Sequence, residues 1–262
     1  MGFSTIRNGS QGGPDNLPEA AQDFTQFLIT FFHDILPQYS HNPFHIAGES
    51  FGGRYVPYFT HYINQQRQYG GEALSSIPPI QSIILVNAVV DSASFSIAGQ
   101  YDHFCGVDKR NTNPFNSTAC RALEAEIPEC ERLATLCRAT YDPVVCETAD
   151  SYCAAHVGKW FDGDVYPGGR DPYDDRKVCG DNPPLCEPLT GAGYASYLNQ
   201  SRVKEALGFS GAFGFEGINF DLNGRWERSK GMFVPTTREL SAILDETATR
   251  VLVLNGNNDV ML

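Results

Sequence analysis

Gly48-Glu49-Ser50-Phe51-Gly52-Gly53 is the stretch whose reading decides the fold. It has the form Gly-x-Ser-x-Gly, which suits a serine on a sharp turn between a strand and a helix, with its hydroxyl presented above a sheet. Small residues two before and two after the serine let the backbone pass through that strained turn. The flanks agree. Phe44-His45-Ile46-Ala47 reads as a short buried strand, and Arg54-Tyr55-Val56 can start a helix. In a chain with 25 glycines the bare pattern also arises by chance as a turn without chemistry. Glu49 and the flanking words weigh against that reading.

Working outward, the spacing of Ala20, Phe24, Phe27, Leu28, Phe31 and Ile35 predicts a helix from Pro18 to Leu36 with an apolar stripe facing the core. Asn16 is placed to cap it, Pro18 suits its first turn and Pro37 ends it. After Ser50 a second helix should reach Gln68 and stop at Gly70-Gly71, with Pro57 kinking it or sitting in its first turn. Ile80 to Asn87 and Arg250 to Leu254 are apolar runs of strand length, and Tyr194–Leu207 and Thr236–Asp245 read as helical. The order helix–strand–helix–strand predicts a parallel sheet covered on both faces. Chemistry in such sheets sits beyond the carboxyl ends of strands, which marks Ser50 and, in the turn Asn255-Gly256-Asn257-Asn258-Asp259, the acid Asp259.

All eight cysteines lie between Cys105 and Cys186, with successive gaps of 15, 10, 7, 9, 7, 26 and 7. None forms the Cys-x-x-Cys pair of a zinc or redox site. Their clustering among Pro, Asp and Asn reads as a disulfide-stapled insertion, with a short helix around Arg121–Leu136, made in an oxidising compartment. Three sequons, at Asn8, Asn116 and Asn199, agree with secretion. Yet Met1-Gly2-Phe3-Ser4-Thr5 has no apolar signal core, and position 6 lacks the Ser or Thr of a myristoylation site. Disulfide chemistry without an entry signal leads us to expect that the N-terminus of a longer protein is absent. A net charge of −12 argues against nucleic acid as partner, and no stretch approaches the length of a membrane span. No metal or organic cofactor is implied.

Over these residues the chain resembles the serine carboxypeptidases. The resemblance is carried by Asn42 to Pro57 around the elbow, Gly2-Phe3-Ser4, Tyr197-Leu198-Asn199 with Val203 to Gly208, and Val251 to Asp259. It implies an α/β-hydrolase fold, incomplete and built on a mainly parallel sheet, with a disulfide-rich helical cap. The expected division is 1–91 and 223–262 for the two parts of the core, the second ending at the catalytic acid, and 92–222 for the cap. The resemblance makes Ser50 the nucleophile and the N–H of Phe51 an oxyanion donor. It gives Glu49 a role in binding the substrate's terminal carboxylate, a contact between two carboxyl groups that needs one protonated and so favours acidic pH. Asp259 would orient the catalytic histidine. It pairs Cys105–Cys120, Cys130–Cys153, Cys137–Cys146 and Cys179–Cys186. Substrates would be peptide or protein C-termini, and the compartment vacuolar, lysosome-like or secretory; oligomeric state is unreadable.

Five departures bear on this. Ile218 stands where the family often has a cysteine, Val86-Asn87-Ala88 replaces a Gly-Asn-Gly turn, and Asn257 replaces a common Asp. The gravest concerns the base. In α/β-hydrolases the triad runs Ser, Asp, His along the chain, but His33, His41, His45, His61, His103 and His156 all precede Asp259. The Asn-Gly-Gly-Pro-Gly-like oxyanion and carboxylate-binding loop of the family is not found either. The expectation is an acyl-enzyme carboxypeptidase whose 262-residue stretch has negligible activity alone. The alternatives are a carboxypeptidase-like acyltransferase and a non-catalytic truncated homologue.

Overall fold

The computed structural model describes residues 2–3, 13–70, 72–95, 101–106, 115–158, 170–171, 173–178, 192–209 and 214–260. The chain opens with α1 (Leu17–Thr30), which runs on into a wider π-helical turn (Phe31–Ile35) and a 3-10 turn (Pro37–Tyr39). Then come β1 (Phe44–Ser50), α2 (Gly52–Gln68), a 3-10 turn (Glu72–Ser76) and β2 (Ile80–Ala88). The cap follows with α3 (Ser92–Phe95), α4 (His103–Cys105), α5 (Ser117–Thr140), α6 (Pro143–His156), β3 (Arg170–Asp171) and β4 (Asp174–Val178). The last described elements are α7 (Ala192–Leu198), α8 (Ser201–Ala206), α9 (Phe220–Ser229), a 3-10 turn (Gly231–Phe233), α10 (Thr237–Glu246) and β5 (Arg250–Leu254).

Among the described residues the sheet is parallel, in the order β1-β2-β5, with Ile46 beside Ile83 and Ile83 beside Val251. One face is packed: Ile46, Ile83 and Leu85 meet Leu28 and Phe32 from the first helix and its π turn, Val56 and Ile63 from α2, and Ile243 from α10. The other face carries Ala47, Leu252 and Leu254, all exposed. The expectation of cover on both faces therefore holds for one face only among the described residues. Parallel strands are apolar on both sides because helices normally cover both.

α1 is capped as its sequence predicts, with Asn16 Oδ1 accepting the Glu19 N–H at 2.9 Å. Its stripe is rotated from the one predicted. The fully buried positions are Leu17, Ala21, Thr25 and Leu28, while Phe27 and Ile35 are more than half exposed. Small side chains at Ala21 and Thr25 let α1 approach its neighbour closely, and Thr25 satisfies its hydroxyl on Ala21 O at 2.7 Å. The aromatics then flank the contact; Phe24 stacks on Phe59 of α2, with ring centres 5.0 Å apart.

α2 continues unbroken through Pro57, well past its first turn. Proline has no N–H for the carbonyl four residues earlier, that of Gly53. The structure fills that gap from outside: the buried Thr236 hydroxyl donates to Gly53 O at 2.7 Å.

The cap is held differently. Asn116 caps α5 through the Thr118 and Ala119 N–H groups, Asp142 caps α6, and the two helices form a hairpin. Cys130–Cys153 and, nested inside it, Cys137–Cys146 staple the hairpin, and Cys105–Cys120 ties α4 to the start of α5. Cys179 and Cys186, the fourth expected pair, lie outside the described residues. The helix expected over Tyr194–Leu207 is two helices, broken at Asn199-Gln200.

Candidate active site

Ser50 closes β1 with φ 56°, the left-handed region. For a residue with a Cβ this costs roughly 1–2 kcal/mol, so neighbouring contacts must hold it there. The Val89 N–H donates to Ser50 O at 2.9 Å, and the ladder sets Ser50 beside Ala88. The glycines serve unequally. A Cβ on Gly48 would lie 2.9 Å from the Gly52 Cα and 2.6 Å from a Val56 methyl, and one on Gly53 would lie 2.6 Å from Val89 backbone atoms. A Cβ on Gly52 would meet nothing within 4 Å. Close approach thus requires Gly48 and Gly53, and the second glycine of the pattern is not demanded by space.

Phe51 caps α2, whose first intrahelical bonds are made by Arg54 and Tyr55 to Phe51 O. The N–H groups of residues 51–53 therefore have no acceptor within the helix, and they sit at its positive end beside Ser50. Glu49 is exposed at the same strand end, beside Val86. The Phe51 ring lines an apolar cavity of about 150 Å³ with Tyr55, Ile218, Leu222, Trp226 and Met232. A dry apolar cavity of roughly that size holds a benzene ring. Ile218, at the family's cysteine position, belongs to this cavity wall.

Asp259 lies in the turn beyond β5, and its carboxylate accepts the Asn87 Nδ2–H at 2.7 Å. Asn87 Oδ1 accepts the Gly256 N–H at 3.3 Å, and Asn87 itself is left-handed, φ 41°. Asn tolerates that conformation better than most residues. The end of β2 thus reaches both candidate residues: Asn87 holds the acid, and Val89 holds the serine. Tyr173 stands nearby; burial, then the charges of Asp259 and Asp171, push its phenol above the ordinary range. Asn87, Thr236 and Trp226 stand around the candidate residues, and sequence reasoning missed them. The replaced Gly-Asn-Gly turn was the available signal for Asn87.

The histidines sit elsewhere. His45 Nδ1 pairs with Ser82 Oγ at 2.7 Å across the open sheet face, and His33 pairs with Asp34. His156 faces Glu126 on the cap hairpin. His103 Nε2 lies 3.1 Å from the buried Asp175, whose N–H donates to Asn258 O, so this pair braces the Asp259 turn from the cap side. His41 precedes β1, at the opposite end of the strand from Ser50, and His61 is about 14 Å along α2 from its start. None is placed as a base on Ser50.

Of the sequon asparagines, Asn116 is exposed at the head of α5, and Asn8 lies outside the described residues. Asn199 donates from Nδ2 to Ala195 O and Phe215 O and accepts from the Phe215 N–H. A glycan on that nitrogen would displace one of these bonds. No helix among the described residues is long and apolar enough to cross a membrane, and they contain no group of three His, Cys, Asp or Glu that could hold a metal.

A left-handed serine between parallel strand and helix, with an acid beyond a later strand, defines an α/β-hydrolase core. Within that class the chain belongs to the serine carboxypeptidase family, whose model matches residues 1–262. It is 30% identical over 238 residues to carboxypeptidase Y homolog A of Aspergillus clavatus, covering 88% of this chain and 40% of that protein. The Chaetomium globosum homolog matches at 30% over 250 residues, covering 93% and 41%. The chain therefore spans about two fifths of the length of these relatives. A prohormone-processing carboxypeptidase from Saccharomyces cerevisiae shares the fold, with a TM-score of 0.72 at 17% identity, over 100% of this chain and 55% of that one.

Proposed function

We propose that this chain carries the nucleophile and acid of a serine-type carboxypeptidase that removes C-terminal residues from peptides. The observation that carries the reading is the left-handed Ser50, held by Val89 close along the chain from the Asn87 that holds Asp259. In the reaction Ser50 Oγ attacks the last peptide carbonyl while a base takes its proton. The C–N bond breaks, the departing amine receives that proton, and water then hydrolyses the serine ester. The Phe51 N–H faces the developing oxyanion, Glu49 binds the terminal carboxylate, and the cavity beside Phe51 takes an apolar side chain next to the scissile bond. The three disulfides among the described residues of the cap suit an oxidising, vacuolar or secretory compartment.

A second reading is favoured by the placement of the histidines: a homologue that binds peptide C-termini without cleaving them. A serine without its base stays protonated and weakly nucleophilic. The test is release of the last residue from a blocked dipeptide at mildly acidic pH. The 262-residue chain should give none. Turnover that disappears in Ser50→Ala would mean that one of the histidines present reaches Ser50 after all.

A further inference from the structure

The Arg54 side chain is fully buried in the first turn of α2, with no part in the acyl-transfer steps above. Its guanidinium reaches two acceptors on one short segment: Nη1 donates to Val90 O, and Nη2 to Ser92 Oγ at 2.9 Å. The same segment begins with Val89, whose N–H holds the Ser50 carbonyl and whose backbone lies against Gly53. Thr236 closes the arrangement from the other side, donating its N–H to Val90 O at 3.0 Å and its hydroxyl to Gly53 O.

We propose that Arg54 is a positioning residue for Ser50: it clamps residues 90–92 so that the Val89 N–H keeps the serine in its left-handed turn. This rests on reading Ser50 as the nucleophile. Arginine is suited to the task because its planar fork meets two acceptors at once, which a lysine ammonium on a flexible stem does not reproduce. Its surroundings keep it charged. Asp91, Asp150 and Glu239 oppose the effect of burial, which lowers its pKa to about 10. Those carboxylates come from different elements. Glu239 is on α10, Asp150 on α6 bonds Ser92, and Asp91 accepts from Arg138 of α5 at 2.8 Å. The clamp therefore joins the disulfide-stapled cap to the nucleophile turn. Arg54 Nε–H, by contrast, is buried without an acceptor among the described residues. A side chain retained with an unsatisfied donor is explained by what its two Nη groups hold.

The experiment needs no peptidase turnover, so its failure is distinct from failure of the proposed function. In the 262-residue chain carrying Ser50→Cys, the pH profile of alkylation by iodoacetamide reports the thiol pKa at the head of α2, where the helix end stabilises thiolate. Adding Arg54→Lys or Arg54→Met should raise that pKa by about one unit and slow alkylation near neutrality about tenfold. Ser92→Ala, which removes one acceptor, should shift it in the same direction by less. Circular dichroism identifies which variants fold. An unchanged profile in folded Arg54 variants overturns the proposal. So does a parental profile in Arg54→Lys beside a shifted one in Arg54→Met, since that assigns the effect to charge alone. Should neither Arg54 variant fold, Ser92→Ala decides, and an unchanged profile there overturns it.

Discussion

The sheet with its elbow and the cap hairpin reach order by opposite means. In the first, Ile46, Ile83, Leu85, Val56 and Ile243 supply a continuous apolar core, and a strained serine is held by backbone bonds and by glycines that permit close approach. In the second, the half-cystines are themselves the core: Cys130, Cys137, Cys146 and Cys153 are buried with Ala134, Ala149 and Val157. Small side chains bury little apolar area, so covalent staples must do what area does in the sheet. The contrast teaches where each region tolerates change. The elbow depends on shape at single atoms, the cap on its bridges.

The largest effect should come from shape at the elbow. Gly53→Ala puts a methyl against the Val89 backbone at 2.6 Å and should cost about 3 kcal/mol in denaturant unfolding, whereas Gly52→Ala should be close to neutral. Equal effects would remove the distinction drawn between the two glycines. Next is the cap. Replacing Cys130 and Cys153 together by Ser should cost about 2 kcal/mol, read as lost hydrogen-exchange protection in α5 and α6 while β1 and β2 keep theirs. Loss across both regions would make them one cooperative unit. Thr236→Val should cost about 1 kcal/mol, because it leaves Gly53 O without the donor that Pro57 cannot supply.

The smallest effect concerns pH. Burial raises the Asp150 carboxyl above its usual range. The folded chain then holds a proton that the unfolded chain has released, so stability falls as pH rises from the unfolded value through the raised folded one. Asp150→Asn should flatten this slope, reducing the change in Tm between about pH 4 and about pH 7 by about 2 °C. A slope as steep as the parent's would place the titrating group elsewhere.

How much of this was legible in the sequence depended on how local the cause was. β1, the turn at Ser50, α2, β2 and β5 could be read because glycine spacing and apolar runs act over a few residues. The phase of α1 was misread because Ala21 and Thr25 face the core for their smallness, which periodic hydrophobicity ranks below Phe27 and Ile35. The bonds that complete the site were out of reach. Asn87 meets Asp259 across 172 residues, and Thr236 meets Gly53 across 183. No local pattern announces a partner at that separation. The departure at Val86-Asn87-Ala88 drew attention to the right turn without disclosing its role.

The proposed function makes Ser50 a nucleophile held in its turn, with none of the six histidines placed as its base. Imidazole supplied in solution tests it directly, with release of nitrophenol from a blocked amino-acid nitrophenyl ester as the readout. We expect hydrolysis by the chain to rise with imidazole above the rate that imidazole alone gives, and the increment to vanish in Ser50→Ala. An identical imidazole response in the chain and in Ser50→Ala would contradict the account.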